Sequence, residues 1–235
     1  MSAVNLDTTQ LIALAAALGW ASGLRLYAVV FLTGLAGSLG WVQLPSGLQV
    51  LQHSVVLGAS GLMLAVEFFA DKIPGVDSLW DAAHTFIRIP AGMALAAAVF
   101  GGDSTVWATV AALTGGALAA TSHAAKATTR AAANTSPEPF SNIGLSLLGD
   151  AAVPAMLWLA WAQPVWFFVA LAFAVVLMGV LIVVLFRFLR ALLRRFKVPP
   201  GGGKGPPPPP EGVESLGSGP SVTQERRLLS SPATP

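Results

Sequence analysis

The sequence predicts an all-α fold, a polytopic helical membrane protein with about six transmembrane segments and two polar hairpins on the cytoplasmic side. Three observations predict it. Of 235 residues, 54% are hydrophobic and only 10% are charged, against roughly 25% charged in soluble domains. Mean hydropathy is +0.70. Positions 26–66 and 151–186 contain no Lys, Arg, Asp or Glu, and a water-soluble fold of this size has too much surface to cover for such runs. These features exclude a soluble enzyme, a nucleic-acid reader and a disordered scaffold.

Taking about 20 residues as the length that crosses a bilayer, the apolar segments run over 9–38, 50–71, 78–101, 105–133, 142–161 and 164–190. Gly and Pro mark the breaks between them, at Pro45-Ser46-Gly47, Pro74-Gly75, Gly101-Gly102, Pro137-Glu138-Pro139 and Gln163-Pro164. The first and fourth segments exceed one membrane thickness and must tilt, project into water or break. Gly19 and Ser22-Gly23 offer a break in the first. The first ten residues hold no Lys or Arg, so the first apolar segment is expected as a retained span rather than a cleaved leader. The chain has no cysteine, which removes disulfides, thiolate zinc sites and thiol catalysis.

Residues 1–186 carry five basic and eight acidic side chains, whereas 187–235 carry eight basic and three acidic ones. The basic character therefore belongs to a tail, not to a nucleic-acid-binding face. With six spans, both termini and the loops at 72–77 and 134–141 share one side, which collects Lys72, Lys126, Arg130 and the Arg187–Lys197 group. Basic residues favour the cytoplasmic side, so both termini are expected there, in a bacterial inner membrane. Trp41, Trp107, Trp161 and Trp166 suit the opposite interface. The transmembrane domain spans 1–190. Residues 191–235 form a basic juxtamembrane segment, suited to anionic lipids, and a Pro/Gly-rich tail expected to be disordered.

Ionisable groups inside a bilayer need a partner or a role. Asp77, Asp81, His84 and Arg88 are spaced 4, 3 and 4, which puts them on one face of a helix. His123, Lys126 and Arg130 form a second, basic stripe, and Glu67 and Asp71 lie one turn apart at the end of the preceding span. An acidic surface meeting a basic one is the simplest outcome. Capping competes for some of them: Ser78-x-x-Asp81 and Thr135-x-x-Glu138 have capping-box form, and Lys126 and Arg130 can stand in water. His84 reads as a hydrogen-bonded interhelical residue rather than a metal ligand, because the three histidines show no metal spacing. Arg25 and Asp150 both lie deep in their segments. They either pair with each other or sit at helix breaks, near Gly23 and Pro154, of the kind that build midplane sites in transporters.

The segments VEFFADKIPGVDSLWDAAHTFIRIPAG (66–92) and SHAAKATTRAAANTSPEPFSNIGLSLLGD (122–150), with their FFADKIPGVDS and SPEPFSN motifs, resemble an uncharacterised family of bacterial multi-pass membrane proteins. The resemblance covers about 1–190. It implies an integral membrane protein whose two polar hairpins belong together, and it supplies no activity or substrate.

Three function classes remain. A small transporter or channel for an anionic solute or lipid headgroup would use Arg25, Glu67, Asp71, Asp77, Asp81, His84, Arg88, His123, Lys126, Arg130 and Asp150 as its polar cavity, and this reading leads. A non-catalytic scaffold or assembly subunit would use the Ala/Gly-rich faces AGMALAAAVFGG and AALTGGALAA for close helix contact. An enzyme on a lipid-linked substrate would hold Mg²⁺ with the Asp77 and Asp81 carboxylates. No cofactor, catalytic residue or metal site is assigned; the expected partners are the lipid bilayer and further copies of the chain.

Overall fold

A computed structural model describes residues 6–73, 75–101, 104–135 and 139–196. Among them it contains six α-helices and one 3-10 helix, with no strand: α1 (Thr8–Ser38), the 3-10 helix (Ser46–Gln52), α2 (Ser54–Ala70), α3 (Val76–Ala98), α4 (Thr105–Ala133), α5 (Pro139–Ala162) and α6 (Pro164–Phe196). The expected apolar segments are therefore helices, with ends shifted by a few residues. Asp103, Glu138 of the expected second capping box, Lys197 and the Pro-rich tail lie outside the described residues.

Local chemistry sets the helix starts. The Asp7 carboxylate accepts from the Gln10 amide at 2.7 Å, and the Gln10 side chain accepts from the Asp7 amide at 2.9 Å, closing a capping box on α1. Ser104 caps α4 and His53 caps α2 through side-chain acceptors. At α3 the expected Ser78–Asp81 capping box does not form. Gly75, at φ +88°, precedes the helix, and Asp77 accepts from the Gly75 and Ser78 amides at 2.9 and 2.6 Å. Asp81 is free of capping and engages cations instead.

Three helical stretches are long and apolar enough to cross a membrane: Thr8–Ser38, Ile143–Ala162 and Pro164–Arg194. The 3-10 helix and α2, bent by 70°, make a fourth if they are taken as one span. The first of these does not run straight. Arg25 leaves helical geometry (φ −148°, ψ 80°), and the contacts on either side show that α1 folds back there. Leu6 and Gln10 line the same depression, of about 540 Å³, as Leu32 and Ala36. In a straight helix Gln10 and Ala36 would stand about 39 Å apart. Gly19 faces Gly92 on α3, and Tyr27 faces His84, two turns further down. Gly37 then packs on Leu44, in the same loop whose Gly47 touches the Ala98 carbonyl at the far end of α3. The arms 8–24 and 26–38 thus form a helical hairpin with Arg25 at its tip.

Among the described residues, the expected first segment is therefore a helical hairpin rather than one continuous span. Gln10 donates to the Trp161 carbonyl at 3.0 Å, which seats the start of α1 beside the α5–α6 turn, and α6 runs from that turn to the opposite end of the body. The break suits its sequence. Gly23 gives the backbone room, since a Cβ there would collide with the Ala119 carbonyl and the Ser122 hydroxyl of α4.

Small residues at four-residue spacing set the crossing of the three central elements. Gly19 and Gly23 on α1, Gly92 and Ala96 on α3, and Gly115 and Ala119 on α4 lie against one another. A Cβ on Gly19 would meet the Gly115 backbone, and one on Gly115 would meet the Ala96 side chain. Backbones approach this closely where dispersion must replace a hydrophobic driving force. The Ala/Gly-rich faces are therefore occupied within the bundle. Burial on α3 is inverted relative to a water-soluble helix: Asp77, Asp81, His84 and Arg88 are buried, while Leu79 and Phe86 are 73% and 84% exposed.

Two outcomes follow. In the cysteine-free chain, single cysteines at Thr9 and Leu39, labelled with a membrane-impermeant maleimide in sealed vesicles, react from the same side; labelling from opposite sides would mean that α1 crosses once. Gly115→Leu forces α1 and α3 away from α4 at a cost of about 1–3 kcal/mol, read as a lowered Tm in detergent. Gly179→Leu on α6, where a new Cβ meets nothing within 4 Å, leaves Tm close to that of the parent.

Candidate functional site

The tip of the α1 hairpin sits in a largely buried charge network built from α1, α2, the α2–α3 junction, α3, α4 and α5. Its cations are Arg25, Lys72, Arg88, Lys126 and Arg130, and its carboxylates are Glu67, Asp71, Asp77, Asp81 and Asp150. These are all the basic residues of positions 1–186, and the two signs balance five to five. Burying an unpaired ion costs several kcal/mol, so the balance permits most of the group to be interior, with Lys72 and Asp150 half-buried at its edge.

Asp71 caps the end of α2 and is the first hub. Its carboxylate meets Arg25 at 3.1 Å, Lys126 at 3.0 Å and Arg130 at 3.2 Å, and its backbone carbonyl accepts from Arg130 at 2.8 Å. Asp81 is the second hub, with Arg88 at 2.7 Å, Lys126 at 3.0 Å and Arg130 at 3.6 Å. Arg88 also reaches Glu67 at 2.6 Å, and Arg130 reaches Asp77 at 3.1 Å. The helix spacing of α3 supplies this arrangement: Asp77, Asp81 and Arg88 share one face, and Lys126 and Arg130 lie one turn apart on the facing side of α4.

Arg25 makes four contacts, all through Nη2: Asp71, Asp150 at 2.9 Å, and the hydroxyl and carbonyl of Ser146 at 2.9 and 3.1 Å. The expected Arg25–Asp150 pair is thus present together with the backbone break in α1, whereas the break expected near Pro154 is not, α5 continuing through that residue. Lys126 donates to the Leu24 carbonyl at 3.1 Å, where the first arm of α1 ends and its dipole is negative. Lys126 and Arg130 do not stand in water as their position near the end of a long segment had allowed. Arg130 is buried and the Lys126 side chain is only 7% exposed, because the α2–α3 junction folds over them.

The histidines lie at the edge of the network. His84 shares a hydrogen bond with Tyr27 of α1 at 3.1 Å and stacks on Trp80, an interhelical role. His123 pairs with Thr85 at 2.8 Å and approaches Arg88 at 3.5 Å. Sequence reasoning left out Lys72, Ser146, Tyr27 and Thr85. Lys72 reaches Asp150 at 3.2 Å and covers the Phe68 ring. Ser146 precedes Asp150 by one helical turn, and that spacing was the available signal. Tyr27 is the only tyrosine in the chain.

Some buried polar atoms in this region have no hydrogen-bond partner: Arg25 Nη1, Glu67 Oε2, Asp81 Oδ2 and Arg88 Nε. Beside the hairpin tip lies a cleft of about 190 Å³ between α1, α4, α5 and α6. Its polar floor includes Arg25, Asp71, Lys126 and Arg130, and its walls include Leu145, Leu148, Leu177 and Met178. Among the described residues no group of three or more His, Asp or Glu side chains is placed to hold a metal ion. Asp77 and Asp81, proposed as Mg²⁺ ligands, are each engaged by cations.

A helical bundle with membrane-length apolar helices, closed around a buried ionic core at the tip of a broken helix, is the class of protein these features define. The chain belongs to the family described as "Domain of unknown function (DUF4126)", whose model matches residues 12–186. The match takes in every residue of the charge network and leaves the Pro-rich tail outside. No curated protein and no solved structure matches the chain.

Removing one member of the network is costlier than removing a pair. Arg88→Met leaves Glu67 buried without a cation and lowers stability by about 3–5 kcal/mol. Arg88→Met combined with Glu67→Met leaves Asp81 with Lys126 and Arg130 and recovers at least half of that loss. Thermal unfolding in detergent measures both; an additive double variant would show that the pair is not coupled.

Proposed function

We propose that this chain is an integral membrane protein of transporter type that handles an anionic solute or an anionic lipid headgroup at the tip of the α1 hairpin. The observation that carries the reading is the coincidence of the backbone break, three cations and the cleft at one point. Arg25 terminates two helical arms and lines the cleft together with Lys126 and Arg130. The second arm, 26–38, begins there, and the start of a helix favours negative charge. Broken helices whose ends meet an ion or substrate near the membrane midplane are a recurring transporter device.

In this reading the protein lies in a bacterial inner membrane. Helices α2 to α6 cross it and α1 enters and returns, in place of six complete spans. The inverted burial of α3, with charge inside and Leu79 and Phe86 outside, supports counting it as a crossing although its charges interrupt its apolar run. Basic residues at the C-terminal end of α6, Arg187, Arg190 and Arg194, put that end in the cytoplasm and the start of α1 on the other side. The same residues are positioned to meet anionic lipid headgroups. The scaffold reading has less support, because the Gly/Ala faces that would recruit a partner pack against each other.

The test is reconstitution into liposomes, with release of trapped orthophosphate and dithionite accessibility of a fluorescent inner-leaflet phosphatidylglycerol as readouts. At least one runs about tenfold above protein-free liposomes, and Arg25→Gln abolishes it while Thr9→Ala does not. Absence of both activities, or activity indifferent to Arg25, overturns the reading.

A further inference from the structure

We infer that the cleft at the hairpin tip is a binding site for an anionic lipid that enters sideways from the bilayer, its acyl chain along the walls and its charged group at Arg25. This deepens the transport reading by naming the ligand class, and it rests on that reading only for the fate of the lipid after binding.

The floor has the charge for an anion. Arg25, Lys126 and Arg130 line it, and Asp71 is the one carboxylate among the lining residues. Their remaining carboxylate partners, Asp77, Asp81 and Asp150, do not line the cleft. The network is neutral as a whole, yet the part that faces the cleft has a cationic excess. Arg25 is 2% exposed, and its Nη1 has no hydrogen-bond partner although Nη2 makes four contacts. A guanidinium presents its donors as a planar fork suited to two oxygens of one phosphate or carboxylate, and here half of that fork is uncommitted. Thr129 and Ser146 are also among the lining residues.

The walls exclude a free hydrated anion and favour an amphiphile. They are formed by Leu145 and Leu148 of α5 and Leu177, Met178 and Leu181 of α6. An inorganic anion passing along them would lose its water without compensation, whereas an acyl chain gains contact. Leu148 and Leu177, on opposite walls, remain 66% and 45% exposed. The mouth therefore opens on the apolar outer surface of the bundle between α5 and α6, where lipid chains lie. Engineered apolar cavities of about 150 Å³ take up benzene, so about 190 Å³ accommodates several carbons of a chain. Gly149 lies beside Arg25 on the α5 side of the cleft, where a Cβ would stand 3.6 Å from Arg25 Nε, in ordinary contact.

The experiment is native mass spectrometry of the full chain with phosphatidylglycerol, phosphatidylcholine of the same chains, and orthophosphate. Phosphatidylglycerol is retained at least tenfold more than phosphatidylcholine, and millimolar orthophosphate does not displace it. Ala174→Trp, which fills the cleft from α6 without touching a charge, removes the preference, with helix content and Tm confirming that the variant is folded. Thr9→Cys, remote from the cleft, keeps it. Equal retention of the two lipids, displacement by orthophosphate, or an unchanged preference in folded Ala174→Trp overturns the lipid site. Orthophosphate release that survives alongside any of these leaves transport standing with a free anion as its substrate.

Discussion

The closure of charge around Asp71 and Asp81 is the constraint on which the rest of the structure depends. Where charge is buried, each cation must find a carboxylate and each carboxylate a cation, and the partners come from five separate parts of the chain. Asp71 ties α1 to α4. Asp81 ties α3 to α4, Asp150 ties α5 to α1 and to the α2–α3 junction, and Glu67 ties α2 to α3. No helix of this set can be rotated without stranding a charge. Register in the bundle is thereby fixed more strictly than apolar packing alone would fix it, since lipid tails are as apolar as the helix surfaces they contact.

The break in α1 and the network require each other. Interrupting a helix in a dry interior exposes carbonyls and amides that must be satisfied. Lys126 serves the Leu24 carbonyl and Ser122 the Trp20 carbonyl, both from α4. That service is possible only because Gly19, Gly23 and Gly115 let α1 and α4 touch backbone to backbone. Small residues bring the helices together, close approach lets side chains from α4 reach the broken backbone, and the break turns Arg25 toward Asp71 and Asp150.

The sequence made much of this legible. The helices were readable from apolar length and Gly/Pro punctuation, the acidic face of α3 and the basic face of α4 from spacing, and the Arg25–Asp150 pairing from the depth of both residues. The fold-back of α1 was not readable. Thirty apolar residues look the same whether they cross once or enter and return, and long-range contacts such as those of Gln10 with Trp161 and of Gly37 with Leu44 distinguish the two. That Lys126 and Arg130 were left open between the polar cavity and water had the same origin: segment length says that a helix is too long, not which neighbour covers its end. Lys72 was overlooked because a lysine in a short loop reads as a topology marker, and its partner Asp150 is far along the chain.

The same charges also argue about purpose. A buried ion pair replaced by well-packed apolar residues is often neutral or stabilising, and the crossing of α1, α3 and α4 is already held by interlocking small residues. Ten ionised groups are therefore more than this bundle needs to hold together. They are also concentrated rather than dispersed. They gather around the interruption in α1, four of them line the cleft, and Arg25, Glu67, Asp81 and Arg88 each keep a buried polar atom with no hydrogen-bond partner. A purely structural network gains by satisfying every atom. One that leaves donors uncommitted at the tip of a hairpin has kept the capacity to bind something else there.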